Sequence, residues 1–219
     1  DICLTTPEED VACSGGTATC TSQAICEVCG ELYGTKNADN HTGALGTPKP
    51  TADGAKHVAT WSCCGAIGET EDHTMDTATG KCVCGLETAV ASTTVGGTGT
   101  YYETLADAIA AAAVGTEDVP ATVMVLKNID VTETIDVVSG VFILNLNGKT
   151  LRDYEDNGLM HGIFHLPNDS TAYMTIADTE GGKLLADWGA IEIEDGTVTI
   201  TGAEGLAAGG EDTMAKKTA

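Results

Sequence analysis

The chain has 219 residues, with 33 Asp and Glu against 10 Lys and Arg, a formal net charge of −23. That balance excludes the usual nucleic-acid binder, whose phosphate contacts need clustered cations, and argues equally against anionic membranes. No apolar run reaches transmembrane length, so no membrane insertion is expected, and with two Trp, two Phe and five Tyr the core must be built from Val, Ile, Leu and Ala.

The acid excess reads first as solubility and second as a capacity for divalent cations such as Ca. The chain opens on "DICLTTPEED", which carries no signal-peptide pattern. All nine cysteines precede Gly85, and none follows from Leu86 onward. That step divides a Cys-rich, zinc-ribbon-like part (1–85) from a hairpin join (86–103), a capping helix with strand coils (104–202) and a polar tail (203–219), which is expected to be loosely held.

Residues 1–85 are rich in Gly, Thr, Ser, Asp and Asn and show no sustained amphipathic period. So little apolar material needs staples, either disulfides or a metal. Three short groups, "CEVCG", "WSCCG" and "KCVCG", each end in Cys-Gly, and His41, His57 and His73 fall between them. A knuckle of nearby thiolates followed by Gly suits a four-coordinate Zn ion, because Gly turns the backbone without a Cβ clash. Adjacent Cys63 and Cys64, and Cys82 with Cys84, are awkward for disulfides, and nine is an odd number. A disulfide scaffold nevertheless remains open.

The metal reading is two closed, structural sites. One uses Cys20, Cys26, Cys29 and His41; the other uses Cys64, His73, Cys82 and Cys84, with Cys63 as substitute for Cys64. An interleaved arrangement would join Cys26 and Cys29 to Cys82 and Cys84 on one ion. Cys3 and Cys13 fit neither site and are candidates for a disulfide, while His57 reads as a surface residue. Four protein donors leave no position for water, so no catalytic residue is implied here.

"GGTATCTSQAICEVCGELYG", "HVATWSCCG" and "HTMDTATGKCVCG" resemble the cysteine-rich repeats of large cell-surface proteins of anaerobic Gram-positive gut bacteria, over about residues 15–85. The resemblance implies an exported, extracellular or cell-surface protein. "CCG" and "CVCG" depart from the CxxC pairs usual in such repeats.

"TAVASTTVGGTGTYY" reads as a hairpin, Ala89–Val95 returning through Thr98–Tyr102; its Gly-rich loop lacks the Lys-Ser/Thr of a phosphate loop. "TLADAIAAAAVG" predicts a short helix with Leu105, Ala108, Ile109 and Ala112 on one face, Thr104 as N-cap and Gly115 as stop. Beyond Pro120 come short β-branched segments closed by Gly, Asn or Asp. Val123, Leu144, Met174 and Val198 open one series, and Ile135, Ile163 and Ile191 another. Two interleaved series predict a mainly β chain ending in stacked coils of a parallel β-helix, the helix plugging its open end. Asn145 and Asn147 are candidates for stacking along the coils. A β-sandwich is the alternative.

"YYETLADAIAAA", "VMVLKNIDVTETIDV" and "LNLNGKTL" resemble the opening of right-handed β-helix domains of the pectate-lyase-like superfamily, over about residues 100–202. The resemblance implies fold more than activity. A lyase-like, polysaccharide-processing alternative would use Asp153, Glu155 and Asp156 for a cation and Arg152 or Lys149 for substrate, but these acids read more simply as a solvated loop. His161 and His165 could share a strand face as a metal pair, although surface or core histidines are the simpler reading. No GxSxG or HExxH signature is present. The expectation is therefore a non-catalytic spacer or adhesin module, with a host or plant glycan or another surface protein as partner and end-to-end self-association at an open last coil.

Overall fold

The structure, a computed structural model, describes residues 2–3, 11–153, 162–178, 180–186, 189–201 and 207–209. The expectations placed on Glu155, Asp156 and His161 lie outside the described residues, as does most of the polar tail. The chain is mainly β and divides into two compact units, Asp1–His73 with Val83–Leu86, and Thr74–Cys82 with Glu87–Ala219.

The first unit is made of short antiparallel pieces. β1 (Ile2–Cys3) pairs with β2 (Val11–Ala12), and β3 (Ala24–Ile25) with β4 (Leu32–Tyr33). β5 (Lys49–Pro50), β6 (Lys56–Thr60) and β7 (Ile67–Asp72) form a three-stranded sheet. Its larger aliphatic side chains mostly face water: Ile25, Val28, Leu32, Leu45 and Ile67 are all exposed. The described buried residues here are Ala24, Cys26 and His57. An apolar core of that size cannot offset the chain entropy of folding, so other links must hold the unit.

In the second unit, β8 (Met75–Asp76) pairs with β9 (Lys81–Cys82). β10 (Ala91–Val95) and β11 (Thr98–Tyr102) form the expected hairpin, with Gly96 and Gly97 at φ +56° and +86°. Two successive positive φ values are what the tight turn between twisted strands requires. α1 (Leu105–Ala112) follows. Thr104 caps it, its hydroxyl oxygen accepting from the Asp107 N–H at 3.1 Å, and Leu105, Ala108, Ile109 and Ala112 are buried. Gly115 lies beyond the helix end without a left-handed φ. Its lack of a side chain serves close packing instead, since a Cβ there would meet the Val141 carbonyl oxygen at 2.2 Å.

The remaining strands form three ladders. β12 (Ala121–Val125) pairs antiparallel with β10, then parallel with β15 (Val141–Asn145), which continues to β18 (Tyr173–Ala177) and β21 (Thr197–Thr201). β13 (Ile129–Val131), β16 (Thr150–Asp153), β19 (Lys183–Leu185) and β22 (Ala207–Gly209) form a second parallel ladder. Thus residues 207–209, read from sequence as loose tail, are paired backbone. β14 (Ile135–Asp136), β17 (Phe164–Leu166) and β20 (Ile191–Ile193) form the third.

Register stacks like on like. Val123, Leu144, Ile176 and Ile200 follow one another across the first ladder, and Ile135, Phe164 and Ile191 across the third. The expected alignment placed Met174 beside Leu144 and Ile163 in the third series. Met174 instead stands opposite Phe142, and Phe164 occupies the rung. Turns of unequal length absorb the difference, while side-chain alternation keeps the apolar set inward. The hairpin strand β10 covers the free edge of β12, and α1 packs its apolar face into the same core.

Asn145 and Asn147 act at a turn, and Asn147 bonds along the coils. The Asn145 side-chain oxygen accepts from the Asn147 N–H at 2.8 Å, and the Asn147 side chain donates to the Val125 carbonyl at 3.1 Å. On the next rung Asp178 takes over, accepting from the N–H groups of Gly148 at 2.8 Å, Glu180 at 3.0 Å and Gly182.

Candidate metal centres

Three groups of Cys and His gather their ligand atoms within 4.8 Å of one another: Cys20, His41, Cys63 and Cys64; His57, His73, Cys82 and Cys84; and Cys13, Cys26 and Cys29. The grouping differs from the sequence partition. Cys20 and His41 stand with both Cys63 and Cys64, Cys26 and Cys29 stand with Cys13, and His57 completes the set containing His73, Cys82 and Cys84.

The first group is built by two loops. The Cys20 N–H donates to the Asn40 carbonyl at 2.9 Å, and the Asn40 side chain donates to the Ala18 carbonyl at 2.6 Å, tying the Cys20 segment to the approach of His41. The Gly65 N–H donates to the Trp61 carbonyl at 2.7 Å, and Gly65 at φ +71° turns the knuckle. The Ala66 N–H points at the Cys64 sulfur, 3.5 Å away. Cys20 Sγ to Cys63 Sγ is 3.3 Å, Cys63 Sγ to Cys64 Sγ 3.8 Å, and His41 Nδ1 lies 3.4 Å from Cys64 Sγ and 3.8 Å from Cys63 Sγ. A tetrahedral ion with sulfur at about 2.3 Å and nitrogen at about 2.0–2.1 Å sets S···S near ~3.8 Å and S···N near ~3.5 Å. Three of these separations lie within about 0.3 Å of such edges and the Cys20–Cys63 pair is about 0.5 Å short; all are far longer than a sulfur–sulfur bond of about 2.05 Å.

Two residues that sequence reasoning passed over shape this group. The Trp61 indole stacks on the His41 ring. Gly43 approaches Cys63 so closely that a Cβ would fall 2.6 Å from the Cys63 amide nitrogen. The thiols respond to their crowding. Burial raises Cys20 to about 11, helped by its hydrogen bonds to Cys63 and Cys64. Burial acts the same way on Cys63, but donation from Cys20, from the Gly43 N–H and from His41 outweighs it and brings Cys63 down to about 6. A divalent cation among these sulfurs would favour the ionised form of each thiol it meets.

In the second group, Cys84 Sγ lies 3.4 Å from His73 Nδ1, and His73 Nε2 is 3.2 Å from the Gly54 carbonyl oxygen. His57, expected at the surface, is buried: alternation along β6 turns it inward, with Nε2 3.3 Å from the Glu71 carboxylate. A ligating imidazole commonly holds a carbonyl or carboxylate through its second nitrogen, which fixes ring and tautomer. Both histidines have such a partner.

In the third group Cys26 is buried, and Cys13 and Cys29 are half-buried. The Gly30 N–H donates to the Cys26 carbonyl at 2.8 Å, the bond made by Gly65 and Trp61 in the first group, and Gly30 sits at φ +77°. Thiolate and imidazole donors in this mixture suit Zn.

The lyase-like candidates separate. Asp153 is buried on β16, contrary to the solvated-loop reading, because it takes an inward position two residues after Leu151. Arg152 points outward beside Asp130 in register. His165 pairs its Nδ1 with the Asp136 carboxylate at 2.8 Å and, among the described residues, belongs to none of the three groups. Comparison of the chain with protein-family models, with curated proteins and with solved structures gave no match.

Proposed function

We propose that the chain is a non-catalytic module of an exported bacterial surface protein, a spacer or adhesion element. In it structural Zn ions staple the first unit, and a short right-handed parallel β-helix forms the second. The observation that carries this reading is the Cys20, His41, Cys63 and Cys64 group, whose four donors meet within 4.8 Å in a unit with almost no apolar core. Four protein donors close the coordination shell, which assigns the ion to holding the fold. The stacked parallel rungs of the second unit support the β-helix, and the handedness follows from the preference of parallel crossovers. The net charge of −23 suits an exposed protein held in solution by like-charge repulsion.

Glycan binding is the partner chemistry favoured. An open groove of about 580 Å³ on the first unit presents Trp61, Leu45 and Pro48 beside the carboxylates of Glu69 and Glu71. An aromatic and aliphatic floor with a few polar groups is the usual make-up of a small-molecule site. Incubation with uronate-containing glycans tests the non-catalytic reading. No ultraviolet-absorbing unsaturated product is expected, and its accumulation would establish the lyase instead. A glycan array read with and without Glu69→Gln tests the groove.

A further inference from the structure

Strand alternation sorts the charges of the β5–β6–β7 sheet onto its two faces. His57 and Ala59 on β6, Trp61 just beyond it, and Ile67, Glu69 and Glu71 on β7 line the groove. Lys56 stands opposite Asp72 and Lys49 opposite Val58, register positions that alternate to the other face. There Lys56 pairs with Asp72 at 3.1 Å. The groove therefore holds two exposed carboxylates, and among the described residues no Lys or Arg lines it. We propose that the groove binds a glycan through an amino sugar whose amine is free and protonated. The proposal rests on the glycan-binding reading and names the sugar class.

The cavity supplies both halves of such a ligand's needs. Its volume of about 580 Å³ lies within the range of small-molecule sites, about 300–1,000 Å³. Leu45 and Ile67 are exposed on its wall, where the C–H face of a sugar ring would cover them. The Trp61 indole is stacked on the His41 ring, so this wall is fixed before a ligand arrives, which lowers the ordering cost of binding. The carboxylates are placed as well. Glu71 is anchored at the floor by its contact with His57 Nε2 at 3.3 Å, and Glu69 stands two residues before it on the same face of β7.

Charge then selects among sugars. A protonated amine donates charge-assisted hydrogen bonds to carboxylates, the stronger kind, and gains further from an aromatic face nearby. A neutral sugar would cover the same carboxylates without supplying a cation, which costs their hydration. A uronate would bring a third carboxylate to this groove in a chain of net charge −23. Binding involves no bond making or breaking.

The test is calorimetric titration of the full chain, as purified, with a short oligomer of glucosamine and with the same oligomer N-acetylated, at a pH that keeps the amine protonated. The two ligands share the ring and differ in the charge. The free amine should bind at least about tenfold tighter, the scale of a hydrogen bond to a charged group. Glu69→Gln should weaken the amine about fivefold, as for a partly exposed ion pair, with unchanged zinc content showing an intact first unit. Asp72→Asn, on the opposite face, should leave the affinity unchanged. Equal affinities for the two oligomers would overturn the amine and leave the glycan reading intact. No loss from Glu69→Gln, or an equal loss from Asp72→Asn, would overturn the groove as the place where the amine binds. Binding of other glycans on the array but of neither oligomer would overturn the amino sugar alone, and binding of no glycan would overturn both readings.

Discussion

The Trp61 indole lies flat against the His41 imidazole, ring centroids 4.4 Å apart and planes 12° from parallel. The stack fixes the imidazole plane and leaves Nδ1 turned toward Cys63 and Cys64. Trp61→Ala should keep all four donors yet lower zinc affinity about 10–100-fold, the range seen for groups that orient a ligand. Competition with a chromophoric chelator measures this. Unchanged affinity would show that the stack does no positioning, and His41→Ala supplies the scale of losing a ligand outright.

Gly43→Ala probes the closeness of the loop to Cys63. The new Cβ would fall 2.4 Å from the Ser62 hydroxyl and 2.6 Å from the Cys63 amide nitrogen, so the loop must withdraw and its N–H leaves the thiolate. The expected cost is about 1–3 kcal/mol of first-unit stability, as for other overpacked sites. Zinc content against chelator concentration should fall earlier than in the parent chain. A parent-like curve would contradict the geometry.

Asp178 ties two turns of the second unit together. Burial raises its pKa, but the N–H groups of Gly148, Gly182 and Glu180 more than compensate and hold it below the ordinary carboxylate value. A depressed folded value means its contribution is full above the unfolded value of about 3.9 and is lost as pH falls through the folded one. Amide exchange at Gly148 and Gly182 should therefore accelerate below about pH 4. Asp178→Asn should speed the same amides at neutral pH, with a loss of about 1–3 kcal/mol. Exchange insensitive to both changes would remove the carboxylate from the turn.

One column of side chains gives an internal contrast. Leu144 and Ile200 stand in the same register column, but Leu144 is fully buried and Ile200 is 46% exposed. Leu144→Ala should cost about 2–5 kcal/mol in urea unfolding, and Ile200→Ala no more than about 0.5 kcal/mol. Equal costs would mean that the rungs are not stacked as described.

Local chemistry was legible in the sequence, and distant pairing was not. The Thr104 cap, the Gly96–Gly97 turn and the apolar face of α1 depend on neighbours a few residues apart, so pattern alone located them. The rung joining Leu144 to Ile176, and not to Met174, depends on how many residues each turn consumes, which composition does not encode. The donors showed the same limit. The Cys-Gly knuckles are visible as strings, but Cys20 meets Cys63 across 43 residues, and His57 becomes a donor only because β6 turns it inward. Gly43 had one available signal, its place two residues after a candidate ligand, and that signal becomes meaningful only with the Cys63 loop beside it.

The central claim is that bound metal replaces an apolar core in the first unit. Elemental analysis of protein purified without added metal, followed by chelation under reducing conditions, tests it most directly. About two or more zinc ions per chain are expected, and their removal should abolish ordered amide signals from residues 11–73 while those of the β12, β15 and β18 rungs persist. Less than one ion per chain, or a first unit that keeps its ordered signals after the metal is removed, would contradict the account.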